Sequence, residues 1–212
     1  MVLERYIVDY SAAVLADRKV GNLFLFPQTD NFYEEFIDCA ERLCPFGVAI
    51  TQFKVKTGRL IYVYRPDRLQ EVLSRPECRQ CLTSRGYQLS SLDELLEGFR
   101  DRIQQVDFPH EIGFILGYPT HDVLTFLNDV GKNPLITGYW QVYHDADNAR
   151  QTFSELSECF ARYKRLYNTG TPLEELVKGN RNEKNCCDIL ERNRQHRAVS
   201  SSGGRRSPDR TS

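Results

Sequence analysis

Residues 111–143 read EIGFILGYPTHDVLTFLNDVGKNPLITGYWQVY, and how this stretch is taken decides the fold. Glu111–Gly117 is apolar on both faces, the pattern of a strand in the middle of a sheet. Gly117-Tyr118-Pro119 turns the chain, and Pro119 opens a helix with Asp122 in its first turn. Val123, Phe126, Leu127 and Val130 form that helix's apolar stripe, and Gly131 ends it. Leu135–Tyr143 follows as a second strand. Strand, short helix and strand with tight connections predict a right-handed βαβ unit.

Upstream, Val48–Val55 and Arg59–Tyr64 are rich in β-formers and flank Lys56-Thr57-Gly58. Gly58 can supply the positive φ of a hairpin loop, so an antiparallel hairpin is expected. Leu23–Phe26 before Pro27 is a short strand or a buried loop. Leu3–Leu15 reads as a helix. A second helix follows Asp30 or Asn31, with Tyr33, Phe36, Ile37, Ala40 and Leu43 on one face. Pro66 and Pro76 each open a short helix. Ser91-Leu92-Asp93-Glu94 is a capping box before Leu95, Leu96, Phe99 and Ile103. Downstream, Ala149, Phe153, Leu156, Phe160, Tyr163 and Tyr167 recur at helical spacing, and Asn168-Thr169-Gly170 stops that helix. Together these elements predict an α+β (or α/β) fold. Its four-stranded mixed sheet holds an N-terminal hairpin and the βαβ unit under a cover of helices.

The 212 residues carry a net charge of only −1, but it is unevenly placed. Residues 178–212 hold nine basic and four acidic side chains, a net +5, while residues 1–177 hold 19 and 25, a net −6. The tail has no aromatic residue and ends SSSGGRRSPDRTS, too little apolar surface to repay its ordering entropy. We therefore expect one globular domain over 1–177 and a disordered basic tail over 178–212, with a weak helix at most over Glu183–Arg194. The balance excludes a uniformly basic nucleic-acid binder; weak contact through the tail remains open. No stretch approaches the ~20 apolar residues of a membrane span. Glu4, Arg5 and Asp9 interrupt the place of a signal peptide's apolar run. The expected compartment is cytoplasmic, with all seven cysteines as reduced thiols.

Cys78-Arg79-Gln80-Cys81 is a CxxC, a spacing that can hold a metal or cycle as a dithiol. Cys39 and Cys44 could complete a zinc set, though their separation is wide for a knuckle. Cys78, Cys81 and Leu82 also share one apolar helical face, where free cysteine behaves as a small hydrophobe. That plainer reading is preferred, and no metal site is nominated. Cys186-Cys187 is a reactive-thiol or metal candidate, but adjacent cysteines do not readily chelate one ion.

His110-Glu111 is the acid–base candidate. Neighbours on a strand point to opposite faces, so one can reach a strand-end crevice. A histidine and a carboxylate suit proton transfer or metal binding. The plainer reading is a strand-start histidine bonded to a carbonyl. His121 could lie nearby, and no nucleophile stands at a fixed spacing. Gly117, Tyr118 and Thr120 sit between a strand end and a helix start, where an anion can meet free backbone N–H groups. A structural turn fits the same residues. Lys132 and Asn133 add charge and polarity, and Tyr139 and Trp140 add stacking surface or core.

These residues also carry a resemblance. Lys19-Val20-Gly21-Asn22-Leu23-Phe24, Tyr62-Val63-Tyr64-Arg65-Pro66, Gly86-Tyr87, the run Phe108–Leu127 into Val130–Asn133, Gly138–Tyr143 and Cys159 resemble the bacterial domain of unknown function 3793 family over about residues 5–176. The resemblance implies a setting in redox or iron homeostasis and a flavodoxin-like redox partner. The family has cysteines where this chain has Ser11 and Thr137, so only Cys159 of those three thiols remains. The leading expectation is an accessory protein that binds a small anionic ligand or metal-linked cofactor near His110-Glu111 and Gly117–Thr120. The alternatives are a small enzyme using His110 and Glu111 as an acid–base pair, and an interaction partner of a flavodoxin-like protein with no small-molecule site.

Overall fold

The computed structural model describes residues 1–55, 58–105, 109–129 and 132–178. Apart from Lys178, the expected disordered tail lies outside them, as do the Glu183–Arg194 segment, Cys186-Cys187, Lys56-Thr57, Val130 and Gly131. The architecture is α+β. Its sheet is formed by β1 (Gly21–Phe26), β2 (Ala49–Val55) and β3 (Gly58–Tyr64) in the order β1-β3-β2, antiparallel throughout. The predicted hairpin is β2–β3, with Ala49 opposite Tyr64 and Val55 opposite Gly58.

The central strand is β3. Its residues alternate between two cores: Ile61 and Val63 face one, Tyr62 and Tyr64 the other. The first core packs under α1 (Val2–Leu15), α2 (Phe32–Leu43) and α8 (Ala146–Asn168). The second packs under α3 (Pro66–Leu73), α4 (Pro76–Ser84), α5 (Leu92–Gln105), α6 (Ile112–Ile115) and α7 (Thr120–Asp129). Helices thus cover both faces of a three-stranded sheet. Each large side chain buried in these cores contributes about 1.5–3 kcal/mol.

The predicted βαβ unit is absent, and this corrects the four-stranded mixed sheet. Ile112–Ile115 is a short buried helix, α6, because a run apolar on all sides satisfies a fully covered helical turn as well as a central strand. Leu135–Tyr143 is a two-stranded ribbon of β4 (Ile136–Thr137) and β5 (Gln141–Val142), reversed through Gly138–Trp140. A Cβ on Gly138 would stand 2.2 Å from the Phe153 ring, so only glycine lets this turn lie against α8.

Two polar contacts lock the layers. The Tyr62 hydroxyl donates to the Ile115 carbonyl at 2.6 Å, tying the central strand to α6. Arg65, buried at the end of β3, donates to the carbonyls of Val14, Leu15 and Lys178 at 2.8–2.9 Å and pairs with Asp17. A helix leaves its last carbonyls without partners, and a cation there also suits the helix dipole. The capping box forms with one shift: Ser91 Oγ accepts from Glu94 N, while Glu94 accepts from Ser90 N rather than Ser91 N.

Candidate functional site

A cavity of about 200 Å³ opens between α6, α7 and the β4–β5 ribbon. His110, Tyr118, Asp122, Phe126, Trp140 and Gln141 line it, with the apolar faces of Ile112, Leu116 and Val123. The Tyr118 and Trp140 rings stack at 5.5 Å, and His110 meets the edge of Phe126 at 4.9 Å. Behind Tyr118, the Lys19 amine lies 5.1 Å from the ring centroid and donates to Asn22 Oδ1 at 2.6 Å. Burial of that amine draws its pKa down to about 8.

Asp122 holds the ribbon to α7. It stands in the first turn of the helix and is 2% exposed. Its Oδ2 accepts from Trp140 Nε1 at 2.8 Å, and its Oδ1 accepts from the backbone N–H groups of Tyr143 at 2.9 Å and His144 at 3.2 Å. Two imidazoles approach the same oxygen: His144 Nδ1 at 3.4 Å and His121 Nε2 at 3.6 Å.

Of the residues nominated from sequence, His110, Tyr118 and Trp140 converge here. His110 and Glu111 do not act on one point. Glu111 is buried away from the cavity, where its Oε1 accepts from the Tyr87 hydroxyl at 3.1 Å and pairs with Arg102 at 3.2 Å. Glu111 and His110 lie in the turn entering α6, not on a strand. Gly117 shapes the wall without lining it. It has φ +75°, and an added Cβ would stand 2.5 Å from Val20. Thr120 Oγ1 accepts from Arg75. Lys132 and Asn133 are exposed, outside the lining. Tyr139 lies against Phe153 and Phe160 on α8. Among the described residues lining the cavity there is no lysine or arginine, whereas a carboxylate is present.

Sequence reasoning missed Asp122 as the hub, Gln141, His144 and the closeness of His121. The signal that could have found them is the ribbon itself. Reversal at Gly138-Tyr139 carries Trp140–His144 back against the first turn of α7.

The cysteines follow the core reading where they are free. Cys39, Cys78, Cys81 and Cys159 are buried thiols, and burial pushes Cys39 and Cys78 up to about 12. Cys44 is disulfide-bonded, which corrects the expectation of reduced thiols throughout. Ser11 sits at a kink in α1 and Thr137 in β4. Among the described residues, no helix is long and apolar enough to cross a membrane.

A family model described as a protein of unknown function, DUF3793, matches residues 7–177, and the chain belongs to that family. No curated protein and no solved structure matches it.

Proposed function

We propose that this member of the DUF3793 family is a small-molecule-binding protein whose ligand occupies the cavity between α6, α7 and the β4–β5 ribbon. The observation that carries this reading is the composition of the wall. Two stacked aromatic rings and aliphatic side chains surround a space of about 200 Å³, with His110 and Gln141 as the polar points. Sites for small ligands commonly combine an apolar wall with a few polar groups that fix orientation.

The chemistry of that wall favours a flat, uncharged ring over the expected small anion. With no cation on Asp122, an anion entering would approach its carboxylate with no lysine or arginine among the lining residues to offset the repulsion. An aromatic ligand would instead lie against Tyr118 and Trp140 and meet a donor or acceptor at His110 or Gln141. The acid–base enzyme has less support, because Glu111 is engaged by Tyr87 and Arg102.

The test is thermal melting with 2-naphthol in one arm and inorganic phosphate in the other. Ring binding predicts a concentration-dependent rise in melting temperature with 2-naphthol, abolished by Val123→Phe, and none with phosphate. A rise with phosphate alone would return the assignment to an anion site.

A further inference from the structure

The geometry points to a metal site that shares Asp122 with the cavity wall and can be tested without the cavity's ligand. We propose that His121, Asp122 and His144 bind a divalent transition-metal ion, with zinc as the best match. Two imidazoles and a carboxylate form a donor set suited to a borderline ion. Their ligating atoms all lie within 4.8 Å of one another. Asp122 Oδ1 stands 3.6 Å from His121 Nε2 and 3.4 Å from His144 Nδ1. A tetrahedral ion with bonds of about 2.0–2.1 Å separates its ligands by about 3.4 Å, so these spacings need little adjustment.

The surroundings support the same conclusion. Asp122 is buried, and its partners are two backbone N–H groups, the Trp140 indole N–H and the two imidazoles. No lysine or arginine among the described residues pairs with it. A buried carboxylate that no lysine or arginine pairs with gains from a cation, and the N–H groups that orient it are what outer-shell donors supply in metal sites. His121 and His144 are 55% and 53% exposed, so an ion can enter and water can complete its coordination. The two rings already meet edge to face at 4.6 Å. Three protein ligands with a position left for water is the arrangement of zinc sites that do chemistry rather than staple a fold.

The test uses the full chain, stripped with a chelator and titrated with zinc chloride by calorimetry. One equivalent is expected to bind. His121→Ala and His144→Ala should each weaken it by about 100-fold or more, at least the loss that follows removal of an outer-shell partner. Both histidines are solvent-facing, so circular dichroism should show both variants folded. Lys132→Ala, at an exposed residue outside the cavity lining, should bind as the parent does. Cobalt(II) provides an independent spectrum, in which weak d–d bands without sulfur charge-transfer absorption are expected. Absence of saturable zinc binding, binding unaffected by both histidine variants, or a strong thiolate charge-transfer band would overturn the site.

Discussion

Asp122 shows how one side chain can organise a loop that has almost no strand of its own. The β4–β5 ribbon is two residues on each side, too short to stand alone. Its far end is fixed by the carboxylate, which accepts from Tyr143 N, His144 N and Trp140 Nε1. Asp122→Ala leaves these donors facing a buried gap, and each unsatisfied donor costs about 1–3 kcal/mol. The variant should lose about 2–4 kcal/mol in urea unfolding, with Trp140 emission shifted to the red as the indole gains water. Unchanged emission and stability would show that the ribbon holds its place without the carboxylate. At this scale the sequence was partly legible. Tyr118, Trp140 and His110 stood out by chemistry, and Asp122 was placed in the correct turn of its helix. Its partners were hidden because they come from residues 18 to 22 positions later, across a reversal that no local pattern encodes.

At the scale of elements, the rule for a central strand held for one segment and failed for another. Leu60–Tyr64 is apolar on both faces and does lie between two strands under two layers of helix. Ile112–Leu116 has the same character and folds as a helical turn. The difference lies in partners: β3 follows β2 by a tight hairpin, whereas residues 112–115 pack against the helices α3 and α7. Amphipathic helices were legible from periodicity alone, α5 with its cap and α8 with its seam among them. Arg65 joins two elements that sequence reading treated separately. It caps the carbonyls of Val14 and Leu15 in α1 from the end of β3 and also donates to the Lys178 carbonyl. Arg65→Met keeps the bulk of the side chain and removes its donors. We expect a loss of about 3 kcal/mol, since hydrogen bonds to charged groups contribute about 1.5–3 kcal/mol and three carbonyls lose a partner. A urea midpoint equal to the parent's would contradict this.

The whole molecule is a thin sheet between two thick layers of helix, and its burial has a consequence at alkaline pH. Cys39 and Cys78 are raised from 9.0 to about 12 by desolvation, so the folded chain keeps protons that the unfolded chain gives up. Their contribution to stability is fully present below pH 9 and is lost as pH rises from 9 to 12. Lys19 acts with the opposite sign. Its amine is drawn from 10.5 to about 8, so its burial penalty is complete below pH 8 and relieved by pH 10.5. Two thiols outweigh one amine, and stability should fall from pH 9 upward, more steeply above 10.5. Replacing both Cys39 and Cys78 by alanine should make the fall shallower; urea midpoints across this range that decline equally in parent and variant would exclude the thiols as its cause.

At this same scale the central claim is that the cavity exists to hold a flat ring. Trp140 is the only tryptophan in the chain and lines that cavity, so its emission reports occupancy directly. The decisive measurement is a titration of Trp140 fluorescence with nitrobenzene, which is flat, uncharged and a strong quencher, in the parent and in Val123→Phe. A ring-binding cavity predicts saturable quenching in the parent and only linear, collisional quenching in the variant. Linear quenching of equal slope in both proteins would contradict it.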